Sequence, residues 1–358
     1  MTSEIALERT TNPRLKPQSS DLGFGRYFAD HMFSTEYSIH SGWHDYKISP
    51  YQNLSIEPTA TVLHYGQAIF EGLKAFWGVD GQVRLFRPEM NWKRMQRSAE
   101  RLCMQMIPQE LFIDSLKKLI QTDFDWIPRE PGTALYLRPT LIGTEGFLGV
   151  RPSEKFLYFV ITSPVGGYYG VSSDPIKIWI EPKFSRAATG GIGEAKAGGN
   201  YAASLYAAVE AKKKGFSQVL WLDAAQHSLV EEVGTMNVFF RLGDGIVTPP
   251  LGGTILPGVT RDSVIHLLKD HGISVEERPI SITEIIAAHK SGELKEVFGT
   301  GTAASISPVG ELGMNGDKMV INDHKIGDYS QLLWKSLTDI QYGRTTDNRG
   351  WTNLVKMP

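Results

Sequence analysis

GGIGEAKAGGNYAASL, residues 190–205, sets one lysine, Lys196, among five glycines and directly ahead of a segment with helical spacing. The helix reads as YAASLYAAVEAKKK, with Asn200 as its N-cap and Gly215 as its stop. Lys212, Lys213 and Lys214 close it, where cations suit the helix dipole. A long cationic side chain in so bare a backbone needs a chemical reason.

Outward from this stretch the chain is ordinary in its totals. Its 358 residues are ample for two cores, and 41% hydrophobic with 21% charged residues is a globular mixture. A formal net charge of -2 gives no general attraction to nucleic acid or an anionic membrane. The single cysteine, Cys103, excludes an internal disulfide and a cysteine-rich metal site, and suits a reducing cytosol. The opening residues carry no apolar run and include Glu4 and Glu8, so neither a secretory signal nor a transit peptide is expected. The most apolar run, residues 156–161, is too short to cross a bilayer. The expectation is a cytoplasmic protein with a loose polar arm over residues 1–20.

Hydrophobic periodicity places strands over TATVLHYGQAIFEGLKAFW (59–77) and QVRLFR (82–87), then helices over MNWKRMQRSAERL (90–102) and SLKKLIQTDFDW (115–126). ALYLRPTLIG and KFLYFVITS read as strands, and PVGGYYGVSSDP, 164–175, as a connection between domains. Beyond it, strands IKIWIEP, QVLWLD, SLVEEV, MNVFFRL and EVFGTGTAA alternate irregularly with helices after LPGVT, over ITEIIAAHKSG and near residues 329–341. Strands and helices mix without strict alternation, so the expected class is α+β or mixed α/β. The expected domains are 21–163 and 176–358, joined by 164–175.

Several chemistries are excluded. GTGTAA, 299–304, has dinucleotide-fingerprint glycines, but ISPVGEL follows it with a proline and no helical pattern. No phosphate-binding GxxxxGK[ST] loop, no G-x-S-x-G and no metal-spaced cluster among the nine histidines occurs, so no metal is expected. What remains favours a phosphorylated ligand. LPGVTRD puts a turn at a helix start, where backbone N–H groups near Val259 and Thr260 suit an anion, with Thr260 as cap. GTGTAA offers bare amides and the hydroxyls of Thr300 and Thr302. Alone, LPGVTRD reads better as a plain helix entry, and GTGTAA reads also as a glycine-rich turn. Glu231 and Glu232 lie among apolar residues; on a strand they face opposite sides, so one is aimed inward with a cationic partner or both sit at a surface end. A free lysine is a cation and no nucleophile, but it becomes useful on forming a Schiff base with a carbonyl. A planar phosphorylated aldehyde beside glycines, an acid for a ring nitrogen and an anion nest are together what pyridoxal 5'-phosphate (PLP) requires.

FGRYFADHM, LHYGQAIFEGLKAF, LYLRPTLIG, EAKAGGNYAASL, EEVGTMNVFF, LPGVTRD and EVFGTGTAA, in this order, resemble the branched-chain amino acid aminotransferases, fold-type IV PLP enzymes. The likeness runs from about residue 23 to 351. It implies a two-domain fold like that of D-amino acid aminotransferase, with the active site between the domains. It implies Lys196 as the PLP lysine, Tyr201 at the cofactor's phenolic oxygen and Glu232 at its ring nitrogen with Thr235 beside it. Arg94, Val259, Thr260 and Thr302 are implied at the phosphate, and Leu256 against the ring. By pattern alone Arg94 reads as a solvated helix charge.

For substrate the resemblance implies an aromatic wall of Phe24, Tyr65, Phe70, Tyr136 and Tyr168. Arg138 takes glutamate's second carboxylate, and the amides of Thr302 and Ala303 take the α-carboxylate. Val150 reaches into a partner's site, which implies a homodimer. The implied reaction is transamination of leucine, isoleucine and valine with 2-oxoglutarate, in amino-acid biosynthesis or breakdown. The alternatives are a D-amino acid aminotransferase, an aminodeoxychorismate lyase, or a non-catalytic PLP-binding protein; joint retention of Lys196, Glu232, Tyr201 and Arg94 speaks against the last. Some relatives carry Cys-x-x-Cys after the Gly-Thr-Ala; here those positions are Ala304 and Ser307, so no thiol switch operates there.

Overall fold

The computed structural model describes residues 4–166 and 174–357. The chain forms two compact units, Met1–Val171 with Ala195–Gly199 and Asp339–Pro358, and Ser172–Glu194 with Asn200–Thr338. The expected division was contiguous; here the lysine segment and the C-terminal residues are counted with the first unit.

The first unit contains β1 (Ala6–Leu7), β2 (His31–Ser38), β3 (Gly42–Pro50), α1 (Thr61–Tyr65), β4 (Ala68–Phe70), β5 (Leu73–Trp77), β6 (Val83–Phe86), α2 (Pro88–Arg101), α3 (Gln109–Thr122), β7 (Ala134–Gly143) and β8 (Lys155–Val165). The strands order as β1-β3-β2-β8-β7-β5-β6, with β4 also paired to β7. β4 and β5 share one edge of β7: Phe70 faces Thr140 and Leu73 faces Leu137. Glu71 and Gly72 span the break between them, opposite Arg138 and Pro139. Proline has no N–H for a ladder, but its carbonyl accepts from the Glu71 N–H at 2.8 Å. α2 and α3 bring Met95, Phe112, Leu116 and Leu119 into one buried core with Phe33, Leu137 and Tyr158 from the sheet.

Two expectations fail here. The strand expected across 59–77 begins instead with a one-turn helix, α1, ended by Gly66 at φ 63°; five residues are too few for periodicity to separate helix from strand. The N-terminal arm, described from residue 4 on, is docked there rather than loose. β1 pairs in parallel with β3, the Thr10 N–H donates to His31 Nε2 at 2.9 Å, and the Arg14 N–H donates to Asp30 at 2.8 Å. A polar arm can be held by such bonds without the apolar run that would announce it.

The second unit contains β9 (Ile176–Ile180), the body of α4 (Gly198–Lys213), β10 (Gln218–Leu222), β11 (Val230–Val233), β12 (Met236–Leu242), β13 (Gly245–Thr248), α5 (Val259–Asp270), β14 (Val275–Glu277), α6 (Ile282–Ser291), β15 (Leu294–Gly301), β16 (Ser305–Met314), β17 (Asp317–Val320) and most of α7 (Asp328–Gln341). Its sheet runs β11-β10-β9-β16-β15-β12-β13-β14, and a further pairing of β11 with β12 closes six strands into a ring. Parallel and antiparallel pairs mix, as expected for the class. Asn200 is no N-cap: α4 starts at Gly198, and the Asn200 amide donates to Ile192 O at 2.8 Å. Gly258 caps α5 in place of Thr260, which lies in its first turn. The chain then returns to the first sheet, where β18 (Thr352–Val355) pairs with β6.

Candidate active site

Lys196 is fixed by its backbone on two sides. Ala197 makes an antiparallel bridge with Ile69, and the Phe70 N–H donates to Lys196 O at 3.0 Å. On the other side the Lys196 N–H donates to Ser98 Oγ at 2.9 Å, and that buried hydroxyl donates to Arg94 O at 3.0 Å. Nζ of Lys196 then lies 4.9 Å from the centre of the Phe70 ring. A glycine is required at 193, where a Cβ would lie 2.4 Å from Thr254 O. At 199 a Cβ would meet nothing within 4 Å, so the backbone there is open by more than its own packing demands.

Arg94 is buried, not solvated. It grips Glu71 through Nε to Oε1 at 2.7 Å and Nη2 to Oε2 at 2.8 Å, and Asn91 Nδ2 donates to the same Oε2 at 2.8 Å. Glu71 is 0% exposed. Burial alone would raise its carboxyl; the charge and hydrogen bonds of Arg94, the charge of Lys196 and the Asn91 bond outweigh that and hold it below its ordinary value. Fork-to-fork pairing sets the guanidinium plane as well as neutralising it.

An aromatic group adjoins Phe70. The Phe24 and Tyr136 rings meet edge to face at 4.9 Å, Arg138 Nη2 donates to Tyr136 Oη at 3.0 Å, and the Arg138 guanidinium lies 4.6 Å over the Phe70 ring. Tyr65 and Val150 are surface residues, 43% and 86% exposed, and the Tyr65 hydroxyl donates to Leu148 O. Tyr168 lies outside the described residues.

In the second unit Glu231 and Glu232 are both buried, so the surface reading of this pair fails. Glu232 Oε2 pairs with Arg186 Nε at 2.7 Å, while its Oε1 accepts from Asn237 Nδ2 at 3.1 Å and from the Leu256 N–H at 3.0 Å. Asn237 stands opposite Glu232 in the β11–β12 register and donates also to Leu256 O at 2.9 Å. Burial pushes the Glu231 carboxyl up, against a hydrogen bond with Thr254 and the charge of Arg186. Val259 and Thr260 are buried in the first turn of α5, a 12-residue helix with no side-chain cap at its start. Thr302 and Ala303 are half-buried in the turn between β15 and β16, Tyr201 is half-buried near the start of α4, and Thr235 is exposed in the turn after β11.

Sequence reasoning missed Glu71, Asn91, Arg186 and Asn237. Glu71 had a signal, a carboxylate inside an apolar strand run that requires a buried cation. Arg186 and Asn237 had none, because a loop arginine and a strand asparagine acquire their partner only through the fold. The first unit offers a pinned primary amine and a paired arginine; the second offers a buried carboxylate tied to a second arginine and a helix start with no side-chain cap.

The chain matches the amino-transferase class IV family model over residues 68–312. It is 50% identical over 351 residues to branched-chain-amino-acid aminotransferase 2 of Bacillus subtilis (strain 168), covering 98% of this chain and 97% of that one. The crystal structure of the Escherichia coli branched-chain amino acid aminotransferase superposes with a TM-score of 0.75 at 25% identity, covering 91% and 99% of the two chains. The T.th. branched-chain amino acid aminotransferase with pyridoxamine 5'-phosphate gives 0.74 at 25% identity, covering 90% and 98%.

Proposed function

The chain belongs to the class IV aminotransferases and, within them, to the branched-chain-amino-acid aminotransferases, and from that premise we propose that it transfers the amino group of L-leucine, L-isoleucine or L-valine to 2-oxoglutarate. The products are the branched-chain 2-oxo acids and L-glutamate, and PLP is the cofactor. The observation that carries this reading is the posture of Lys196. Its backbone is bonded on both sides while its amine lies on an aromatic ring.

The residues suit PLP. The open backbone at Gly199 leaves room beside the lysine, the start of α5, where Gly258 brings no side-chain cap, suits a phosphate, and the buried Glu232 suits a protonated ring nitrogen. Bound PLP supplies an electron sink that acidifies the substrate's Cα–H. Lys196 would hold the cofactor and, once the substrate's amine has displaced it, its neutral amine would be the base that moves the Cα proton, a role that typically contributes ~10²–10⁴-fold. Glu232, oriented by Arg186 and Asn237, keeps a proton on the ring nitrogen, and Tyr201 serves the phenolic oxygen. Arg94, the N–H groups of Val259 and Thr260, and Thr302 hold the phosphate, with Glu71 fixing the arginine. Leu256 packs against the ring, Thr235 flanks Glu232, and the Thr302 and Ala303 amides take the α-carboxylate.

Phe24, Phe70 and Tyr136 form an apolar wall with the cation Arg138 at its edge, which suits both leucine-like and dicarboxylic side chains. Apolar pockets discriminate one methylene by only about 1–3 kcal/mol, so all three branched-chain substrates are accepted. We further read the exposed Val150, with Leu148 at 57% exposure on the same loop, as a contact to a second copy of the chain. The cytoplasm is the proposed compartment; no helix among the described residues is long and apolar enough to cross a membrane. Assay of L-leucine, L-isoleucine, L-valine and D-alanine with 2-oxoglutarate tests the reading. All three L-substrates are expected to react, and preference for D-alanine, or for one branched-chain substrate by a large margin, contradicts it.

A further inference from the structure

Lys74, Tyr136 and Ser163 form one row across three strands. Register places Lys74 of β5 opposite Tyr136 of β7, and Ser163 of β8 opposite the same Tyr136. Residues directly opposite in an antiparallel pair project to the same face, and Arg138, two residues along β7, shares it. Gly72 clears the neighbouring position: a Cβ there would lie 1.9 Å from Tyr136 Oη.

Two polar atoms in this group are buried with no hydrogen-bond partner among the described residues, Nε of Arg138 and Oγ of Ser163, the serine being 4% exposed. A buried polar atom without a partner is costly. A leucine side chain remedies neither atom. A carboxylate remedies both, and Arg138 shares the Phe70 ring with the amine of Lys196. We propose that Lys74 and Ser163 act with Arg138 as the site for the second carboxylate of glutamate and 2-oxoglutarate, and so set the dicarboxylate half of the enzyme's specificity. Burial lowers the Lys74 ammonium to about 8, and a carboxylate arriving beside it favours its charged form.

This inference rests on the aminotransferase reading and is tested by separating its two half-reactions. PLP-loaded wild type, Lys74→Met, Lys74→Arg and Ser163→Ala are each mixed with L-leucine or L-glutamate and followed in single turnover. Losing one charged hydrogen-bond partner weakens binding roughly ten- to a hundredfold. Lys74→Met is expected to weaken glutamate by that factor while leucine stays within about twofold. Ser163→Ala is expected to show a smaller loss on glutamate alone, and Lys74→Arg to recover most of the wild-type value. Equal losses on both substrates, or unchanged glutamate binding, overturn the proposal. If Lys74→Met does not fold, Ser163→Ala decides by the same criterion. Wild type that reacts with glutamate but not leucine overturns the branched-chain reading and leaves the carboxylate comparison standing; wild type inert to both overturns both.

Discussion

Arg94 and Glu71 are 4% and 0% exposed, and neither charge is tolerable there without the other. Glu71→Gln strands a buried guanidinium and is expected to cost about 3–5 kcal/mol in urea unfolding, whereas the apolar double variant Glu71→Met with Arg94→Met recovers most of that loss. A single-variant cost below about 1 kcal/mol would count against the pair. The pH dependence follows from the same geometry. Folding holds the Glu71 carboxyl below its ordinary value of 4.5, so the folded state binds fewer protons than the unfolded one. Its stabilisation is complete above about 4.5 and is lost as pH falls through the lower folded value. Glu71→Gln should therefore flatten the acid limb of a stability–pH curve, and an unchanged limb would be contrary. In the sequence Arg94 looks like one more charge on a polar helix; only the family pattern marks it. Its burial arises because Asn91, Met95 and Ser98 share its face of α2 and that face meets the break in the sheet.

At the scale of elements, the lysine segment is held between β4 and α2, and Ser98 is the hinge of that arrangement. Ser98→Ala removes the acceptor of the Lys196 N–H and is expected to cost about 1–3 kcal/mol, with faster hydrogen exchange at that amide. Exchange at the wild-type rate would show that the bond is not what holds the lysine. Gly193→Ala places a methyl group against the Thr254 carbonyl and should destabilise by about 1–3 kcal/mol, read from urea midpoints. The amphipathic helices α2, α5 and α6 were legible because about three or four turns give the apolar period room to declare itself, whereas α3 was placed at 115–126 in place of Gln109–Thr122. α1 was not, being one turn long. The β2–β3 hairpin was also missed, since most of β3 is half-exposed or exposed and Asp45 and Lys47 interrupt its apolar residues. The break between β4 and β5 that lets Glu71 turn inward is a matter of pairing with β7, which no local pattern encodes.

For the whole molecule, the mixed α/β class was readable from residue types and order. The return of residues 339–358 to the first unit was not, because β18 is a four-residue strand whose partner, β6, lies far back in the chain. A homodimer is expected by sedimentation equilibrium, and Val150→Asp should weaken it; a monomeric wild type would contradict the role given to that loop. Cofactor binding should stabilise the fold by about 2.7 kcal/mol at a hundredfold excess over Kd, seen as a raised Tm. The central claim is that Lys196 carries PLP. Borohydride reduction of the holoenzyme followed by peptide mapping tests it most directly: the account predicts one pyridoxyl adduct, on Lys196, and an adduct on any other lysine, or none, would contradict it.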